Sequence, residues 1–206
     1  IPTGELRHEK KLYTTIPLGI ILADGAIITV CSDETSILRR FKETHVRYFS
    51  TKKRIRFLYQ ILLNTMTTYQ TVLRQVDDRR LAIESRIGEE MEDETDLIEL
   101  HDLESTLVYF ETSLRADGAV IDRIRRSKSI PQFPEDEDIL EDVQVENRQA
   151  IEMATIYREI IDGTSELMSN VINNRLNSTM KYLTSITLVM AVPTIISGLY
   201  GMNVDG

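Results

Sequence analysis

A chain of 206 residues can hold one or two domains with a real core, and its 28 % charged and 42 % hydrophobic residues are the proportions of an ordinary soluble protein. Its net charge of −9 argues against a nucleic-acid partner, because phosphate backbones are held by clustered Lys and Arg; it suits attraction of cations, although an acidic balance commonly serves only solubility. The single Cys31 excludes an internal disulfide and points to a reducing interior, and His8, His45 and His101 lie far apart with no Cys or His at zinc-site spacing, so no zinc site is read.

The first 50 residues carry the β signal. "LYTTIPLGIIL" (Leu12 to Leu22) and "AIITVCS" (Ala26 to Ser32) are rich in β-branched residues and flank Asp24-Gly25, which predicts a hairpin. Two strands alone are marginal, so further strands are expected outside this sequence. "DETSILRRFKE" (Asp33 to Glu43) predicts a short helix with acidic residues in its first turn.

Over residues 51–134 the period changes to that of a helix. Ile55, Leu58, Tyr59, Leu62, Met66, Tyr69, Val72, Leu73, Val76, Ile83 and Ile87 recur at three and four positions, giving a long amphipathic helix from Thr51 to about Met91. Gly88 and "EEMEDETD" (Glu89 to Asp96) predict an acidic turn, either merely solvated or concentrating cations. Leu97, Leu100, Leu103, Leu107, Phe110 and Leu114 then mark a second helix that should close on the first as an antiparallel hairpin, ended by Pro131 and Pro134.

From residue 135 onward Ile139, Val143, Ala150, Ala154, Ile161, Met168 and Ile172 continue a helical stripe with no stop before the apolar end of the chain. Residues 135–181 read as a stalk and 182–201 as a membrane span in one helix of roughly sixty residues, about 90 Å long, which must pack against neighbours or copies of itself. From Tyr182 to Val204 the only ionisable side chains are tyrosines, and about 20 apolar residues is what a hydrocarbon core about 30 Å thick requires. The C-terminal position excludes a signal peptide. The chain opens on Ile1 rather than Met and stops soon after the span, so it is expected to be a piece of something longer.

On a helical wheel with Asn177 at zero, Met180, Thr184, Thr187, Ala191, Thr194 and Gly198 fall in one stripe about 100° wide, while Tyr182, Ile186, Val189, Pro193, Ile196 and Tyr200 take the bulkier opposite side. The small and polar stripe suits close helix packing, with threonines bonding one turn back, or a water-accessible path bounded by several copies. Pro193 removes one backbone donor and should loosen the helix locally. Asn203 falls about 80° away, so the helix must break near Gly201 if Asn203 is to share the axis of the stripe.

Set after that span and stalk, "PTIISGLYGMNV" resembles the CorA family of magnesium channels, whose hallmark is Gly-Met-Asn at the end of the first of two membrane helices. "NSTMKYLTS" is similar to the family's pore-entry segment, which places Asn177, Met180 and Leu183 at positions that line or constrict the pore. "EDVQ" (Glu141 to Gln144) puts Asp142 where the family has a regulatory metal-binding aspartate, and "YTTIPLGIILADGAIITV" looks like the last strands of its cytosolic α/β domain. The fold the resemblance implies is mainly α with a small β portion: residues 1–50 a remnant of the α/β domain, then the helical hairpin, the stalk helix continuing into the first membrane helix, and residues 202–206 the start of an outer loop. It implies a homopentamer in the cell membrane, multi-pass when intact, with the bulk of this chain cytosolic.

The resemblance further implies passive transport of Mg2+, with Co2+, Ni2+ or Zn2+ as alternative cargo. Gly201, Met202 and Asn203 are its selectivity filter. Asn177, Met180, Leu183, Thr184, Thr187, Ala191, Thr194 and Gly198 are pore-lining or gating, and Asp142 is a ligand for regulatory Mg2+. A membrane-tethered coiled-coil scaffold is the rival from another class. No nucleophile, phosphate loop or paired-carboxylate cleft is discernible, which argues against an enzyme.

Overall fold

The structure, a computed structural model, describes residues 1–7, 10–42, 52–87 and 93–201. His8, His45, Thr51, most of the acidic turn from Gly88, and Met202 and Asn203 lie outside the described residues.

The β portion is two antiparallel ribbons. Strand β1 (Pro2–Arg7) pairs with β2 (Lys10–Thr15), and β3 (Leu18–Ala23) pairs with β4 (Ala26–Cys31). The second is the hairpin expected at Asp24-Gly25, where Gly25 takes φ 78°, a left-handed value that costs little without a Cβ. The run expected as one strand from Leu12 to Leu22 is two, because Pro17, which has no N–H to donate to a ladder, stands between β2 and β3. Helix α1 (Ser36–Lys42) has no acidic residue in its first turn; Asp33 and Glu34 precede it, and the Oγ1 of buried Thr35 accepts the Ile37 N–H at 3.0 Å as its N-cap.

Three long helices follow: α2 (Arg54–Glu84), α3 (Asp93–Arg126) and α4 (Pro134–Gly201). At 68 residues, α4 is about 100 Å long. Pro134 occupies its first turn with Glu135, Asp136 and Glu137, a residue preset for helix entry followed by charges that complement the helix dipole. The basic Arg123, Arg125 and Arg126 do the same at the end of α3.

The pair α2 and α3 does not close as a separate hairpin, because the first half of α4 lies along both and completes one core. Tyr59, Met66, Tyr69, Leu73, Val76 and Ile83 of α2 meet Leu100, Leu103, Leu107, Phe110 and Leu114 of α3, and Leu140, Val143, Ala150, Ala154, Ile161 and Met168 of α4 bury against them. Tyr69 and Phe110 pack edge to face with centroids 5.1 Å apart. Ala150 and Ala154 keep α4 thin where it enters, and Gly118 of α3 serves the same end, since a Cβ there would stand 2.8 Å from Asn147 Nδ2. Tyr13 of β2 joins this core, its hydroxyl donating to Gln75 Oε1 at 2.5 Å, which fastens the first ribbon to the bundle.

Ion pairs fix where α4 begins and how it is turned. Arg56 Nε holds the buried Asp136 at 2.5 Å, and Lys53 holds Glu135 at 2.7 Å. The Lys53 hydrogen bond and charge keep the Glu135 carboxyl below the usual glutamate range, so this link is present above the ordinary glutamate pKa and is lost as pH falls through the lowered value. Midway, Arg158 of α4 reaches Glu111 of α3 at 2.9 Å, and Gln70 of α2 donates to Glu146. At the tip, Asp96 is not solvated as part of an acidic turn; it is buried in the first turns of α3 and bound to Arg86 at 2.5 Å. Leu107→Ala, at the centre of the three-helix core, is expected to cost about 2–5 kcal/mol in urea unfolding followed by helical circular dichroism. Val108→Ala, one position away and exposed, should change stability by less than about 0.5 kcal/mol.

Candidate functional site

Among the described residues no helix covers α4 beyond Ile172, and every described side chain there is exposed except half-buried Ala191. This part is long and apolar enough to cross a membrane. The helix is unbroken through Pro193 and through Gly201, so the break expected near Gly201 does not fall before that residue. Asn177, Met180, Leu183, Thr184, Thr187, Thr194 and Gly198 are all exposed.

Three threonines of the stripe bond the carbonyl one turn back: Thr184 to Met180 at 2.7 Å, Thr187 to Leu183 at 2.8 Å and Thr194 to Met190 at 2.9 Å. Each hydroxyl proton is thereby committed to the backbone. The oxygens are left with lone pairs facing outward, so the stripe offers acceptors and no hydroxyl donors. Water around a cation points its hydrogens outward, and that is the polarity such a surface receives.

At 100° per residue the stripe continues down the stalk through Asn173, Ser169, Glu166 and Asp162, all exposed, whereas Asp142 lies about 100° from Asn177 and about 160° from Gly198. The core-facing residues Val143, Ala150, Ala154, Ile161 and Met168 are a different side of the same helix.

Asp142 is exposed on α4 beside buried Val143. Among the described residues no group of three or more His, Cys, Asp or Glu side chains comes together to hold a metal, so Asp142 has no ready-made ligand set within one described chain.

A stalk helix anchored in a three-helix bundle and carried on into an apolar stretch long enough to cross a membrane defines the architecture. A family model described as CorA-like Mg2+ transporter protein matches residues 1–206, and the chain belongs to that family. It is 31 % identical over 198 residues to the cobalt/magnesium transport protein CorA of Methanocaldococcus jannaschii, covering 92 % of this chain and 61 % of the relative. It is 27 % identical over 157 residues to the cobalt/magnesium transport protein CorA of Thermotoga maritima, covering 75 % of this chain and 44 % of the relative. The complete structure of the CorA magnesium transporter from Methanocaldococcus jannaschii superposes with a TM-score of 0.71 at 24 % identity, over 100 % of this chain and 69 % of that one, a likeness of fold. The chain thus spans about three fifths or less of the length of these curated relatives.

With Cys31 replaced by Ser, a cysteine at Thr187 should react with a charged, membrane-impermeant thiol reagent much faster than one at Ile186. Equal rates would show that the stripe does not face water.

Proposed function

We propose that the whole protein is a passive channel for hydrated divalent cations, Mg2+ foremost, assembled as a homopentamer in the cell membrane with the bulk of this chain in the cytosol. The observation that carries this reading is the stripe of threonines in a membrane-length span, bonded back to their own helix so that acceptor oxygens and no hydroxyl donors face outward. A tethered scaffold needs an anchor, but it has no use for an acceptor-lined face through the membrane.

Magnesium prefers six oxygens in a tight octahedron and gives up water slowly, so a selective entrance holds the hydrated ion instead of stripping it. Asn203, repeated around the axis with Gly201 and Met202 beside it in the filter, supplies a ring of neutral amide oxygens for those waters, weak enough to let the ion leave. Below it Thr194, Thr187 and Thr184 offer further acceptors, with Ala191 and Gly198 leaving room between them. Met180 and Leu183 form an apolar constriction that closes by excluding water, and Asn177 marks the inner mouth. A membrane potential of 100 mV supplies about 2.3 kcal/mol per charge, hence roughly twice that for a divalent ion.

Asp142 sets the gate. Repeated around the axis, the carboxylates repel one another, and a divalent cation offsets that repulsion and holds the stalks symmetric. Its loss at low internal Mg2+ loosens them and favours opening. The residues of the described stripe, without Cys or His, suit Mg2+ or Co2+ better than tightly bound Zn2+; Ni2+ is decided by the same flux measurement.

The test is ion entry into liposomes holding the full-length protein, comparing Mg2+, Co2+, Ni2+ and Zn2+. Mg2+ and Co2+ should enter, Asn203→Ala should remove most of the flux, and Asp142→Ala should remove inhibition by internal Mg2+. Undiminished flux in Asn203→Ala would contradict the filter, and unchanged inhibition in Asp142→Ala would contradict the gate.

A further inference from the structure

Glu111 of α3 divides its carboxylate between two arginines. One oxygen accepts from Arg115, a turn further along α3, through Nε at 3.1 Å and Nη2 at 2.7 Å; the other accepts from Arg158 Nη1 of α4 at 2.9 Å. The Glu111 side chain is only 14 % exposed, and a carboxylate so far from water is costly to leave without a partner. Arg115 removes most of that cost. It sits on the same helix as Glu111, so it stays when Arg158 withdraws, and its guanidinium fork can then take both oxygens. This tie between α3 and α4 can open without stranding a charge. The tie at the head of α4 is of the other kind: the ion pair of buried Asp136 is with Arg56 of α2, and parting them leaves a carboxylate in the core.

The packing around the clasp also lets α4 move. Just above it α4 meets its neighbours through Asn147, Ala150 and Ala154, side chains too short to interlock, with Gly118 of α3 against Asn147. Below it the Thr164 hydroxyl donates to Ile160 on its own helix at 2.9 Å, and Met168 is unbranched and adapts to a shifted partner. Such a contact shears at low cost. Arg158 is 22 residues beyond Asp136 and Asn177 is 41 residues beyond it, about 33 Å and about 62 Å along an unbroken helix. A swing about the head that parts the clasp by about 2 Å therefore carries the Asn177 end of α4 about 4 Å.

We propose that Glu111 is a positioning residue for the gate, a releasable clasp that passes from Arg158 and Arg115 together to Arg115 alone as α4 swings about its anchored head and the channel opens. The inference rests on the gated-channel reading above. The full-length protein in liposomes tests it, with Mg2+ entry measured against internal Mg2+. Arg158→Ala should raise the internal Mg2+ that halves the flux by about threefold or more, and Arg158→Lys, which keeps the charge, should return it toward the wild-type value. Arg115→Ala takes away the group that receives the carboxylate and should lower that concentration, whereas a loss of bundle stability would move both alanine variants the same way. Unchanged inhibition in Arg158→Ala, or a shift in the same direction for Arg115→Ala, would overturn the clasp and leave the gate standing. Wild-type flux indifferent to internal Mg2+ would overturn the gate and the clasp together.

Discussion

Everything in this structure depends on one helix having to bury one side while leaving another bare. At 68 residues α4 is far too long to hold its shape in isolation, and the first half is held because Val143, Ala150, Ala154, Ile161 and Met168 are removed from water by α2 and α3. That burial sets the rotation of the helix about its axis. The ion pairs of Arg56 with Asp136 and of Arg158 with Glu111 fix the same rotation at two heights. The direction in which Asn177, Thr184 and Gly198 point is therefore decided in the water-soluble bundle, many turns away.

A continuous helix transmits rotation and tilt along its length, so a displacement of the bundled half of α4 must either bend the helix or move the threonine stripe.

The long helices were legible because their apolar residues recur at three and four positions, and the span because charge stops at Lys181. What escaped has common causes. Pro17 divides a run that composition alone joins, and β1 has too few β-branched residues to declare itself. Thr35, not the acidic pair before it, caps α1, since a hydroxyl at the right backbone position outweighs nearby charge. The shared three-helix core was invisible because periodicity gives the face of each helix but not the number of its partners. Asp96 looked solvated because Arg86, ten positions earlier, is a partner that only the fold brings near. For the site itself, the position of the stripe follows from helix geometry, whereas the Gly-Met-Asn assignment rests on resemblance to the family.

The most direct test concerns the stripe. In the full-length protein with Cys31 replaced by Ser, single cysteines at Ser169, Asn173 and Asn177 are compared with those at Leu167, Asn174 and Ser178, which lie on another side of the helix and are also exposed. Membranes are treated with a short bis-maleimide and cross-linked chains are separated by size. Cross-linking between copies at the three stripe positions, and little at the other three, is the predicted result; equal or reversed yields would contradict an assembly built around this face of α4.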